Sequence, residues 1–532
     1  MQAWHPKQQC TRQEQFLLKR LTRVRKLFGF LRMHRLEIFD DGFQEELESM
    51  YRDSGAGKQP VAPAMMTMAV LLQGYTGASD AEAVELTVVD LRWQMVLGCL
   101  GADQPAFSQG ALHDFRHRLI KFDMDRRLLE RTIELARNTG EFDPKKLPRT
   151  LRVAMDSAPL EGAGRVEDTM NLLGHAARNI VACVAAILDC PVEQVCREAG
   201  IGVLLEPSIK RGLDVEWSDP EQKARALNKL VAQIASLQQW IDTELCDEAQ
   251  GPPLHALLET LKQLMAQDLE PDPGSGCKRI RRGVAPDRRV SIEDPQMRHG
   301  RKSKSKRFNG YKRHIASDLD RKLILACAVT PANVPEQDAT EELRTDIGRQ
   351  RVEIGELHVD RGYINSPLVD ELVGDKRLVL CKPWVPRNSR KGAFTKADFR
   401  LNMRELTITC PAGHQEPIEP GTTVEFDPET CERCELRPKC TMIAAGMGRH
   451  VRIAHDEKLQ HRLRKLIKSR AGRQQLRQRC EVEHHLAHLV RRQGRRARYV
   501  GVRKNLYDVR RAATIQNLEQ LQREDAGVRL AA

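Results

Sequence analysis

"GELHVDRGYIN", residues 355–365, alternates apolar and polar residues and then stops at an acid, a base, a glycine and an aromatic. Period-two alternation closed by a glycine-containing stretch is the pattern of a buried β-strand running into a loop, with Asp360 at the strand's end. "LRVAMDS", residues 151–157, reads in the same way, as a short buried strand ending in Asp156. Ends of neighbouring strands in a mixed sheet lie within a few ångströms of each other however much chain separates them, so two acids in equivalent settings point to a shared site.

Working outward from residue 360, "GYKRHIAS", "KLILACAVTPAN" and "RVEIGELHVD" read as three strands in close order. "SPLVDELVG" then reads as a helix and "RLVLCKPW" as a further strand. Adjacent strands followed by this alternation predict an α/β fold, a mixed sheet with helices packed on it. Upstream, "PVAPAMMTMAVLLQGYTG" and "SQGALHDFRHRLIKFDMDRRLLERTIELARN" carry apolar residues at helical spacing, with Pro63 suited to a first turn and Ser108 to a cap. Residues 1–145 are therefore expected to form an all-helical N-terminal domain, with "DPKKLPRT" (143–150) as linker. The sheet domain is expected from 150–395 and 460–520. A helical insertion over 195–275, with helical stretches at 171–200 and 219–268, ends at the breaker-rich "DLEPDPGSGCK", and a cysteine-containing insertion covers 396–455.

With 532 residues the chain is long enough for more than one domain. Hydrophobic residues make up 41% and charged residues 30%. No apolar run approaches the roughly 18 residues of a membrane span. The N-terminal "MQAWHPKQQCTRQEQF" lacks an apolar segment with a cleavage site, so the expected location is cytoplasmic, without membrane attachment. Fourteen cysteines in such a chain suit a reducing compartment.

The net charge of +13 is concentrated. Residues 441–520 hold 20 Lys or Arg against 6 Asp or Glu, and "RHGRKSKSKRFNGYKR" (298–313) holds 8 basic residues and no acid. A solvated helix face alternates its signs to gain i,i+4 pairs, and these tracts do not. Their simplest partner is the backbone of a nucleic acid. The candidate phosphate contacts are Arg301, Lys302, Lys304, Lys306, Arg307 and Lys312 in the first tract, with Arg479, Arg491, Arg495 and Arg496 in the second.

A helical acid would complete the site begun by Asp156 and Asp360. "LRQRCEVEHHLAHLV" supplies Glu483, with Glu481 in reserve on another side of the helix. Three carboxylates suit hard divalent cations such as Mg²⁺, and two such ions activate an attacking oxygen and stabilise the leaving oxygen of a phosphodiester. Each acid also has an ordinary reading. Asp156 could cap the turn into "SAPL", Asp360 could bond its own loop or Arg361, and Glu483 could pair with Arg479 at i,i+4. Tyr363 is open between the site and the core. Cys410 in "TCPAGH" and Cys431, Cys434 and Cys440 in "CERCELRPKC" form a candidate structural Zn²⁺ set, with His414 as substitute ligand. The competing reading is a group of reduced, partly buried thiols.

Together "VAMDSAPLEGAGRVEDTMNLL", "DPQMRHGRKSKSKRFNGYKRHIASDLD", "VTPANVPE", "HVDRGYINSPL" and "VEHHLAHLVRRQGRRARYVGVRKN" resemble bacterial insertion-sequence transposases of the DDE type. The resemblance implies an RNase H-like catalytic domain behind the helical one, with Asp156, Asp360 and Glu483 as catalytic and metal-binding residues and Mg²⁺ or Mn²⁺ as cofactor. The family pattern of Arg, three residues, then Glu falls on Arg479 and Glu483. Its tyrosine position is Leu476 here, and its following basic residue is displaced to Arg491. The implied partners are double-stranded DNA, as terminal inverted repeats and as target, and a second copy of the chain in the DNA complex. The implied reaction is metal-dependent hydrolysis at the element ends followed by joining of the freed 3′ hydroxyl to target DNA. A metal-dependent nuclease that does not join, and a catalytically inactive DNA-binding relative, remain the alternatives.

Overall fold

The computed structural model describes residues 3–21, 25–51, 59–138, 150–303, 305–386 and 390–531, and the expected linker at 143–150 falls almost wholly outside them. The described N-terminal region is helical: α1 (Arg12–Arg20), α2 (Leu27–Ile38), α3 (Asp41–Glu48), α4 (Pro63–Thr76), α5 (Asp80–Val89), α6 (Leu91–Leu97), α7 (Gln109–Lys121) and α8 (Met124–Asn138). Local signals fix the ends. Thr11 and Ser79 close capping boxes with Glu14 and Glu82, Ser108 accepts from the Ala111 amide, and α4 opens on Pro63 and stops at left-handed Gly77. Residues Ala64 and Met66 to Leu72 of α4 are buried, so this helix is apolar nearly all round and lies at the centre of the bundle.

β1 (Thr150–Glu161) begins the sheet domain, and a helical insertion follows it at once: α9 (Thr169–Ile187), α10 (Val192–Glu198), α11 (Ile209–Leu213), α12 (Pro220–Glu244) and α13 (Leu254–Asp268), with a core of its own. The helical stretch read at 219–268 is two helices, because Gly251, Pro252 and Pro253 interrupt it and proline has no amide hydrogen to offer. α9 is a 19-residue helix long and apolar enough to cross a membrane by length and composition, but 56% of its apolar window is buried within the insertion's core. The short hairpin β2 (Leu269–Pro271) and β3 (Lys278–Ile280) closes the insertion.

The chain then returns to the sheet through β4 (Arg298–Arg301), β5 (Arg307–Asp318) and β6 (Ile324–Pro331), crosses over by α14 (Thr340–Arg349) to β7 (Glu353–His358), and reaches β8 (Leu378–Leu380) after α15 (Pro367–Gly374). The sheet runs β6, β5, β1, β7, β8, with β4 also on β5. β5 is antiparallel to β1 and β6, whereas β7 is parallel to β1 and β8. This is the mixed, RNase H-like sheet expected. Its strands are not in the simple succession read from the sequence, because α14, which that reading passed over, carries the chain from β6 to the far side of β1. A parallel partner requires such a crossover.

After β8 a small unit intervenes: β9 (Arg400–Asn402), β10 (Thr407–Thr409), β11 (Gln415–Pro417), β12 (Thr423–Glu425), α16 (Pro428–Glu432), α17 (Arg437–Cys440) and β13 (His450–Arg452). Four helices complete the described chain, α18 (Glu457–Leu466), α19 (Arg470–Arg477), α20 (Cys480–Gln493) and α21 (Val502–Ala531). Both faces of the central sheet are buried. Val153 and Met155 pack with α14, α15 and α18, and Ala154 and Leu160 with α20 and α21.

α21 joins the two halves. Tyr507, Ile515, Leu518 and Leu521 belong to the core of the helical bundle, and Leu506, Val509, Ala512 and Ala513 to the core beneath the sheet. Buried between them, Arg510 donates to Asp123 Oδ1 at 2.7 Å, Asp125 Oδ2 at 3.3 Å and Asp346 Oδ2 at 3.0 Å, uniting the α7–α8 junction with α14. Asn517 answers both the amide and the carbonyl of Ile324 on β6, at 2.8 and 2.9 Å. Removing one partner of a buried ion pair costs about 3–5 kcal/mol. Arg510→Ala is therefore expected to lower the thermal unfolding midpoint clearly when followed by circular dichroism, whereas Ala at the exposed Arg523 of the same helix leaves it unchanged.

Candidate active site

Asp156 does not end its strand, as the sequence suggested. β1 continues to Glu161, with Asp156 opposite Ile315 and Glu161 opposite Gly310. What ends is its parallel partner. The β1–β7 register closes at Ala154 opposite His358, and Asp156 and Asp360 each lie two residues beyond that pair. Side chains two apart on a strand share a face, so Asp156 stands on the face of Ala154, the one covered by α20. Asp360 precedes the short 3₁₀ turn Arg361–Tyr363. Glu483 lies in the first turn of α20, where the helix amides favour a carboxylate. All three carboxylates line one hollow. Glu481 lies outside that lining and pairs with Lys322 at 3.4 Å.

Arg479 stands among the acids. Its guanidinium donates to Asp156 Oδ2 at 3.0 Å and Glu483 Oε1 at 2.5 Å. Although burial opposes it, Asp156, Asp360 and Glu483 together raise the Arg479 pKa above its ordinary value. Burial pushes the Asp156 carboxyl up to about 6. Arg479 and the Ser157 amide oppose that rise, and the charges of Asp360 and Glu483 add to it. Crowded carboxylates around a central positive group are the arrangement a hard divalent cation would also satisfy. Among the described residues no three acidic, histidine or cysteine side chains are gathered tightly enough to hold a metal ion as they stand, with Arg479 between Asp156 and Glu483.

The sequence reading did not single out Glu336. It lines the same hollow, accepts a hydrogen bond from Ser157 Oγ at 2.5 Å, and presses on Gly362, where an added Cβ would lie 1.9 Å from Glu336 Oε2. The glycine two residues after Asp360 thus gives room for a fourth carboxylate. The only signal in the sequence was its place at the end of "VTPANVPE", because the contact spans 179 residues. Tyr363 belongs to the floor. It is fully buried, with its hydroxyl 2.7 Å from His314 Nδ1, and burial holds the His314 pKa down to about 3.

Of the candidate phosphate contacts, Arg301, Lys302 and Lys312 line the hollow beside the acids, and Arg301, Lys312 and Arg307 line an adjoining one. Lys306, Arg491 and Arg495 are exposed, and Lys304 lies outside the described residues. Arg496 donates to the carbonyls of Gly162 and Ala163 at 3.3 and 2.9 Å, and Arg479 is turned to the carboxylates.

Residues 409–522 match the family model described as Transposase DDE domain, and residues 17–118 match that described as Transposase domain (DUF772). The first match includes Glu483, α18 to α20 and α21 as far as residue 522, but neither aspartate; the second lies in the helical region. The two matches show similarity to transposases in the helical region and in the C-terminal part of the chain, over fewer than half of its residues. No curated protein and no solved structure matches the chain.

The raised pKa of Asp156 carries a consequence for stability. An acid held above its ordinary value is less favourable when ionised in the fold than in the unfolded chain, so its penalty is absent at low pH, grows as pH rises from the ordinary carboxylate value to about 6, and is complete above that. A displacement of this size corresponds to roughly 3 kcal/mol, already net of the Arg479 attraction, and the poorer hydrogen bonding of a buried Asn amide takes part of it back. With divalent metal chelated, Asp156→Asn is expected to stabilise the protein against urea by about 1 kcal/mol at pH 8 and by less at pH 5.

Proposed function

We propose that the protein is a DNA transposase of the DDE type, which binds the terminal inverted repeats of its element, hydrolyses a phosphodiester at each end and transfers the freed 3′ hydroxyl to target DNA. The observation that carries this reading is the convergence of Asp156, Asp360 and Glu483 on one hollow that Arg301, Lys302 and Lys312 also line. Two transposase family matches in the same chain support it.

In this reading Asp156, Asp360 and Glu483 would hold Mg²⁺ or Mn²⁺, which would lower the barrier to in-line displacement at phosphorus. The chain's own part is to place the carboxylates and the DNA. Asp156 enters from the sheet, Asp360 from the turn after β7 and Glu483 from α20, so each is fixed by a different rigid element. Glu336 holds Ser157, the residue after Asp156, and thereby orients the carboxylate end of β1. Arg479 balances the acids when no other cation does. Arg301 and Lys302 meet the phosphates on either side of the scissile bond, a positioning role that carries no sequence information. A second copy of the chain is expected in the DNA complex, and the site of action is the cytoplasm, on the nucleoid.

The test uses a duplex carrying the two ends of the DNA segment that encodes the chain. Asp156→Asn, Asp360→Asn and Glu483→Gln are each expected to lower Mg²⁺-dependent cleavage by about 10³-fold, as loss of several kcal/mol of transition-state stabilisation requires, while a gel shift of the same duplex is kept. Cleavage at the wild-type rate by any one of them removes that residue from the trio. Cutting without joined products would establish the nuclease alternative, and binding without cutting the inactive relative.

Neutralising Arg301 and Lys302 together is expected to weaken binding to end-containing and scrambled duplexes alike. The slope of log affinity against log salt should fall by about 2, since each phosphate contact contributes roughly 0.9. A loss confined to the end-containing duplex would instead show that these side chains read bases.

A further inference from the structure

The unit between β8 and α18 has little to hold it together. Its strands are three residues long, and its buried apolar core consists of Phe399, Ile408, Ile418, Val424, Phe426, Val451 and Ile453. Units of this size that cannot bury enough apolar surface are stabilised by disulfides or by a structural metal. Disulfides are not used: Cys410, Cys431, Cys434 and Cys440 are all free thiols.

These four cysteines come from three separate places and meet at one cavity. Cys410 sits in the turn between β10 and β11, where its carbonyl accepts from the Gly413 amide at 3.0 Å and Gly413 takes a positive φ of 96°. Cys431 and Cys434 bracket the end of α16, and Cys440 closes α17. The cavity is lined by the four thiols, His414, Arg437 and Arg449, with Phe394 and Phe426 among its apolar walls. As they stand the sulfurs are not drawn to ligand distance around a common point.

We propose that Cys410, Cys431, Cys434 and Cys440 bind one structural Zn²⁺, which draws the β10–β11 turn and the α16–α17 segment together across this cavity. Each thiol releases its proton to solvent as its Zn–S bond forms, giving a closed tetrahedral site with bonds near about 2.3 Å and no position left for a substrate. Arg437 and Arg449 offset the negative charge of the four thiolates. The ion has no part in strand cleavage, so this inference stands or falls apart from the proposed function.

Full-length protein purified without chelator is expected to contain one zinc per chain by elemental analysis. Cys434→Ser and Cys440→Ser should each lose it, and serine at the exposed Cys246 or Cys277 should not. Because the first two variants could fail through misfolding alone, the wild-type protein carries a second measurement. Replacement of zinc by Co²⁺ should give the intense sulfur-to-cobalt charge-transfer absorption of a tetrathiolate, and a thiol-specific disulfide reagent should modify four more cysteines per chain after chelation than before. His414→Ala should keep its zinc. A metal-free protein whose four thiols react freely overturns the proposal, as do disulfides among them, iron in place of zinc, or loss of the metal in His414→Ala with retention in Cys410→Ser.

Discussion

Like charges held close together in a partly dry hollow must be balanced, and around the end of β1 that balance is made by Arg479. Asp156 alone is strained by its surroundings, as its raised pKa shows, and the neighbouring Asp360 and Glu483 make matters worse. The guanidinium that bonds Asp156 and Glu483 reaches both because α20 begins where the sheet's parallel register ends. Sheet register, helix start and arginine are therefore parts of one arrangement. A structure that moved α20 by a turn would leave either the carboxylates or the arginine buried without a partner, at a cost of several kcal/mol.

The same logic operates away from the hollow, on a larger scale. α21 carries Arg510 into a group of carboxylates drawn from both halves of the molecule, and its two apolar faces belong to different cores. The N-terminal helices are thus tied to the sheet by desolvated charge as well as by packing.

Much of this was legible in the sequence, for reasons that are local. Alternation in "GELHVD" and the buried run "LRVAM" report strands, and Ser108 and Pro63 report helix starts, since each depends only on near neighbours. The acids could be nominated because they followed such strands. Reading Asp156 as a strand end was an error of the same local kind: its apolar run stops at residue 155, but antiparallel pairing with β5 continues the strand to Glu161. The crossover helix α14 was passed over because "TEELRTDIGR" is polar on most of its surface, with Leu343 and Ile347 as its buried apolar anchors. Glu336 had only its place in "VTPANVPE" to mark it. Its role depends on Ser157 and Gly362, which become its neighbours only when the sheet is assembled.

The order of the chain gives α21 a further meaning. Everything it covers, from the Met and Leu residues of α4 to the edge strand β6, precedes it in synthesis, and the amide and carbonyl of Ile324 are met by Asn517. While the ribosome is still adding the preceding residues, both cores have an uncovered side, so neither half can reach its final stability on its own. Neither core has its full set of residues until 502–521 have been made. The bundle core and the core beneath the sheet therefore share one late-made wall, whereas the helical insertion and the small cysteine-containing unit, whose cores hold no residue of α21, do not wait for it.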